Sequence, residues 1–153
     1  RMSMSLLFTL TQPGVPLIYY GDEIGLGGDG DPDNRRMMNF EPYLSANQGT
    51  LLERVQEIGQ ARASSQALRR GTRIQLWVDD DLLVYSLDAG GGDIAIVAMN
   101  KGESARSESI PLPHGELENV PLVGVVNPSR SWTIHDGSLP LELNPWEYVV
   151  LSP

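Results

Sequence analysis

The hydrophobic period of this chain changes at Arg69-Arg70-Gly71, and that change limits what the two sides of it can fold into. Before it, Leu51, Leu52, Val55, Ile58 and Ala61 recur at helical spacing and lay an apolar stripe along a helix running to about Leu68. After it, "RIQLWVD", "DLLVYSLD", "DIAIVAMN", "PLVGVVN" and "EYVVLSP" are short strand-like runs separated by "DDD", "GGG", "NKG" and other polar or proline-containing breaks. Such dense strand spacing predicts an antiparallel sandwich or partial barrel over residues 71–153, with the boundary between Arg70 and Thr72.

The N-terminal side reads differently. Met2 to Thr11 suits the end of a helix, and "QPG" stops it because Pro13 cannot continue a helix and Gly14 permits a turn. "VPLIYY" lacks polar alternation, the mark of a strand covered on both faces in a parallel sheet, with Pro16 at its beginning. One such strand cannot bury itself, and nothing later supplies parallel partners. "RMSMSLLF" starts inside an apolar run without the order of a signal peptide, so the chain is expected to continue something that precedes it. Gly21 to Gly49 is long, polar and glycine-rich, and loops of that kind bind ligands or line clefts. Thr50 and Glu53 stand at capping-box spacing before the helix.

Eleven Lys and Arg against 20 Asp and Glu leave a formal charge of −9, with Lys101 the single lysine, which argues against a nucleic-acid partner. The absence of cysteine removes disulfides, thiol nucleophiles and thiolate metal sites. Thr9, Thr11, Gln12 and two prolines interrupt the apolar start, so no membrane helix is expected. The balance is that of a soluble protein, with the choice between cytoplasmic and secreted left open.

Chemistry-bearing residues concentrate in the loop. Glycoside hydrolysis uses two carboxyl groups about 5 to 9 Å apart on opposite sides of one bond. Asp22 and Glu23 are adjacent and would face opposite ways on a strand, which favours a structural role for them. Asp29, Asp31 and Asp33 occupy the first, third and fifth places of a calcium loop. The glycine such a loop needs next is Asn34, and its last ligand would be Phe40. Arg35 and Arg36 beside these acids can fork to a carboxylate or donate to sugar hydroxyls; a salt-bridged polar loop is the alternative. His114 and His135 fall in turns without a matching nucleophile motif. Trp77, Trp132 and Trp146 could stack on sugars but sit in strand-like pattern where core is the commoner fate. "GLGGDG" lacks both the dinucleotide order and a Walker lysine.

The stretch "GVPLIYYGDEIG" followed by "GGDGDPDNRRMMNF" resembles the end of the catalytic domain in the α-amylase family, glycoside hydrolase family 13, most closely its cyclomaltodextrinase and neopullulanase-like members. The resemblance implies an α/β plus all-β chain: the last strand and helices of a (β/α)8 TIM barrel followed by a small antiparallel β-sandwich domain. On that reading residues 1–70 are the C-terminal end of the catalytic barrel, comprising the end of the seventh helix, the eighth strand, the substrate-side loop and the eighth helix. Residues 71–153 are the C-terminal all-β domain.

The resemblance further implies Asp31 and Arg35 as substrate-binding residues, and Tyr19, Tyr20, Gly21, Asp22 and Glu23 as structural residues at the strand exit. The family's catalytic carboxylates lie in motifs that do not occur in this chain, so no catalytic residue is assigned. The intact parent would be a retaining hydrolase or transglycosylase of α-1,4-glucans, and the chain alone is expected to be inactive. Implied partners are an α-glucan oligosaccharide, the N-terminal part of the barrel and a second copy in a homo-oligomer. No cofactor or metal is assigned here, and calcium is left to the intact parent. A noncatalytic carbohydrate-binding or structural sandwich module is the alternative function.

Overall fold

A computed structural model describes residues 1–126 and 130–153. Three α-helices come first: α1 (Met2–Thr11), α2 (Ala46–Ser64) and α3 (Gln66–Arg70). Eight strands follow among the described residues: β1 (Thr72–Val78), β2 (Leu82–Asp88), β3 (Ile94–Asn100), β4 (Arg106–Pro111), β5 (Pro121–Val126), β6 (Ser131–Thr133), β7 (Ser138–Leu143) and β8 (Tyr148–Ser152). One sheet has the order β1-β2-β3-β8-β5-β6, and a second pairs β4 with β7. Every strand pair in both sheets is antiparallel.

Alternation explains the layering. Along β2, β3 and β8, Tyr85, Leu87, Ala95, Val97, Met99, Tyr148 and Val150 point to a core shared with Leu6, Leu7 and Leu10 of α1 and Val55, Ile58 and Ala61 of α2. The intervening Leu82, Val84, Ile94, Ile96, Ala98, Val149 and Leu151 point the other way, onto Ile110 of β4 and Leu139, Leu141 and Leu143 of β7. The six-stranded sheet is therefore covered by helices on one face and by the small sheet on the other. Asn100 closes the end of β3: its Nδ2 donates to the carbonyls of Ser104 and Asn144, each at 2.9 Å, and its Oδ1 accepts from the Gly102 amide at 3.0 Å.

This architecture corrects the expected fold class. It is all-β, two antiparallel sheets with three short helices, and no remnant of a TIM barrel is evident among the described residues. "VPLIYY" forms no ladder: Val15 is 97% and Leu17 84% exposed, and Pro13 and Pro16 remove amide donors a strand would need. The continuous apolar run that signals a doubly covered strand is instead "IAIVAMN", buried along its whole length in an antiparallel sheet. The helix after the loop also starts earlier than Thr50. Ser45 caps α2, its Oγ accepting from the Gln48 amide while the Gln48 side chain accepts from the Ser45 amide. Of the expected strand "PLVGVVN", Asn127 lies outside the described residues. Among the described residues no helix is long and apolar enough to cross a membrane.

Candidate functional site

The loop between α1 and α2 is held at its base by a tight reversal. Gly21 sits at φ +93°, and a Cβ there would stand 2.8 Å from the Leu26 Cβ, so any larger residue meets both backbone strain and a side-chain clash. The Gly21 amide donates to the Glu23 carboxylate at 2.8 Å, and its carbonyl accepts from the Leu26 amide at 2.8 Å. A 3-10 turn over Asp22–Ile24 then drives Ile24, 2% exposed, inward. The Tyr19 and Tyr20 rings lie 4.7 Å apart, and the Tyr20 hydroxyl donates to the Arg36 carbonyl at 3.1 Å. Both tyrosines are exposed.

A second 3-10 turn, Asp33–Arg35, gathers the charges. Arg36 forks onto Asp33, Nε to Oδ1 and Nη2 to Oδ2, both at 2.7 Å. Those bonds, aided by the Asp29 amide, hold the Asp33 carboxyl below the usual carboxylate range. Asp31 and Arg35 are brought together as a looser pair at 3.3 Å, both largely solvent-exposed. The two arginines thus occupy Asp31 and Asp33, and among the described residues Asp29, Asp31 and Asp33 do not converge as metal ligands. The group of converging metal-ligating side chains among the described residues lies on the sandwich side, at Asp88, His114 and Glu116.

A shallow hollow of about 280 Å³ flanks the loop, lined in part by Glu23, Met38, Phe40 and Leu52, with Asp31 and Arg35 outside it. Phe40 and Tyr43 are 68% and 82% exposed. Nothing in the residue pattern assigns either ring a binding role, although large rings in a polar "NFEPY" stretch are the available signal. The hollow thus sets carboxylates beside the open Phe40 ring, while the arginine-bearing turn lies next to the exposed Tyr20; such groups suit sugar hydroxyls and sugar faces. The loop holds no carboxylate triad among the described residues: Asp31 and Asp33 face arginines and Glu23 faces a backbone amide.

The tryptophans do not make an aromatic platform. Trp132 is buried in the core beneath Arg130, Trp77 donates its indole N–H to Asp79 at 3.0 Å, and Trp146 is covered by the Arg1 guanidinium at 4.0 Å. His135 bonds Asn119 at the surface, whereas His114 is buried.

No protein-family model matches the chain. Cyclomaltodextrin glucanotransferase of Niallia circulans is 38% identical over 143 residues, 91% of this chain and 19% of that protein. The enzyme of the same name from Thermoanaerobacterium thermosulfurigenes is 36% identical over 163 residues, covering 99% of this chain and 22% of the relative. Among solved structures, an Anoxybacillus α-amylase superposes with a TM-score of 0.83 at 29% identity, over 99% of this chain and 32% of that one. The γ-cyclomaltodextrin glucanotransferase of alkalophilic Bacillus clarkii gives 0.82 at 29% identity, over 99% of this chain and 23% of that one. The chain thus spans about a fifth of the curated relatives it matches, and these likenesses support no specific cyclomaltodextrinase assignment. Taken with the fold and the loop, they show that the chain is homologous to a segment of the α-amylase family, glycoside hydrolase family 13, whose glucanotransferases and amylases are enzymes.

Proposed function

We propose that the chain is a noncatalytic segment of an α-glucan-acting enzyme, with a glucan-contacting loop in residues 1–70 and a supporting sandwich in residues 71–153. The observation that carries this reading is the extent of the likeness: helices, loop and sheets together match glucanotransferases and amylases over nearly the whole chain. In the parent, a retaining hydrolase or transglycosylase of α-1,4-glucans, Asp31 and Arg35 bridge neighbouring hydroxyls of one glucose unit. Tyr19, Tyr20, Gly21, Asp22 and Glu23 hold the loop base. The exposed side chains of Val15 and Leu17 provide a face for further polypeptide of that parent. The sandwich itself is structural, since its tryptophans are buried or engaged.

Calorimetric titration of the full chain with maltoheptaose tests the reading. Binding is expected for the wild type. Asp31→Ala and Arg35→Ala should each lose about 1–3 kcal/mol, because removing one partner of a hydrogen-bonded contact leaves the other unsatisfied. Equal affinity in all three proteins, or no binding by the wild type, would refute the assignment of this pair. A parallel titration with a β-linked glucan oligosaccharide should show no heat.

A further inference from the structure

We propose that Asp88, His114 and Glu116 form a binding site for a borderline divalent cation of the zinc type, a site separate from the glucan loop. One potential ligand atom from each of the three residues lies within 4.8 Å of the others. His114 is only 4% exposed and comes from the β4–β5 connection, while Asp88 ends β2. The imidazole is fixed from behind: its Nε2 lies 2.8 Å from the Oγ of the fully buried Ser86, on the same face of β2 as Asp88. With Nε2–H donated to that hydroxyl, Nδ1 presents a lone pair. It forms no hydrogen bond among the described residues, and the nearest carboxylate, Glu116 Oε1, stands at 3.8 Å. A histidine nitrogen gathered with two carboxylates is a configuration that a cation satisfies, and a hydrogen bond on the other ring nitrogen is the usual device for orienting a histidine ligand.

The donor set selects among cations. One imidazole and two carboxylates match the three protein ligands of an open zinc-type site, leaving a position for water. A calcium ion would want six to eight oxygens, which this corner does not supply. Zinc bonds of about 2.1 Å bring neighbouring ligand atoms to roughly 3.4 Å, so the cluster must contract on binding. Glu116 can supply that contraction, because its side chain is 54% exposed and rides on the short 3-10 turn Gly115–Leu117. Asp88 is already steadied, its Oδ1 accepting from the Gly90 amide at 2.7 Å. An ion here would pin the β4–β5 connection to the end of β2.

Zinc chloride titrated calorimetrically into the EDTA-treated, dialysed full chain tests the proposal, with calcium chloride as the comparison. A single zinc site is expected, with calcium silent. Glu116→Gln and Asp88→Asn leave His114 in place and should each weaken zinc binding at least about tenfold with unchanged far-UV circular dichroism, as loss of one ligand requires. Long-range ¹H–¹⁵N spectra should move the His114 ring nitrogens on zinc addition and leave those of His135 in place. Absence of zinc binding at about 100 µM zinc, where a site with a Kd of about 10 µM or tighter would be nearly filled, would overturn the proposal. So would undiminished binding in both variants, or a spectrum in which His135 alone responds.

Discussion

Replacing Asn100 tests how the two sheets are tied together. Its side chain is fully buried at the end of β3 and spends Nδ2 on the Ser104 and Asn144 carbonyls and Oδ1 on the Gly102 amide. Asn144 directly follows β7, so these bonds join the six-stranded sheet to the two-stranded one. Asn100→Ala removes these three hydrogen bonds, together with a longer one from Nδ2 to the Leu143 carbonyl at 3.4 Å, and strands their partners. At a net 0.5–1.5 kcal/mol each, the loss is about 3 kcal/mol. For a protein of this size that corresponds to a fall in Tm of roughly 6–12 °C. Asn100→Asp, nearly identical in shape, places an oxygen where the structure needs a donor. At pH 7 it should be at least as damaging as alanine, since the carboxylate would be charged, buried and opposed to carbonyl oxygens. Burial raises the folded-state pKa of such a group, so its folded form binds protons more readily than its unfolded form. Stability should therefore recover as pH falls from 7 towards the unfolded value near 4. Urea denaturation of the wild type and both variants at pH 7, 5.5 and 4.5 measures both effects. An alanine variant within about 0.5 kcal/mol of wild type, the range of ordinary surface changes, would refute the reasoning. An aspartate variant whose deficit does not change with pH would do the same.

Gly71→Ala should destabilise by about 1–3 kcal/mol, the usual range for overpacking, because the new Cβ would lie 2.5 Å from the Ala67 carbonyl and 2.9 Å from the Asp88 amide; thermal denaturation reads it. Asp79 predicts an acid-sensitive corner: Arg106 above all, then the Trp77 indole and the Leu82 and Asp81 amides, hold its carboxyl far below the usual carboxylate range. That contribution is present above the unfolded pKa near 4 and fades as pH drops towards the folded value, so the Tm gap between wild type and Asp79→Asn should narrow from pH 5 to pH 2.5.

The antiparallel strands were legible where alternation or a continuous apolar run marked them, as in "DLLVYSLD" and "DIAIVAMN". They were hidden where burial is sparse. β4 buries Ile110 alone, β6 is three residues long, and in β7 Pro140 disguises the alternation of Leu139, Leu141 and Leu143. "VPLIYY" misled for a physical reason: an apolar run reports a wish for cover on both faces and says nothing about which neighbour provides it. In the loop, the four-residue spacing of Asp31 and Arg35 was visible, and a 3-10 turn between them brings them together. The openness of Phe40 and Tyr43 was not visible, because exposure depends on what the rest of the chain fails to cover. Nor could spacing reveal the Asp88–His114–Glu116 corner, which is assembled where the β4–β5 connection meets the end of β2, across a long sequence separation.

The place of β8 in the sheet bears on how the chain can be made. It lies between β3 and β5, yet follows every other strand in sequence. During synthesis β1, β2 and β3 can form their hairpins and β5 and β6 can pair, but the two halves share no ladder until Tyr148–Ser152 arrives. Until then the facing edges of β3 and β5 are open templates for intermolecular pairing. Sheet closure is consequently a late, non-local event, with the slow kinetics and aggregation exposure that such contacts bring. A nascent chain halted before Tyr148 would carry this sheet in two unjoined parts, making β8 the step on which soluble yield turns.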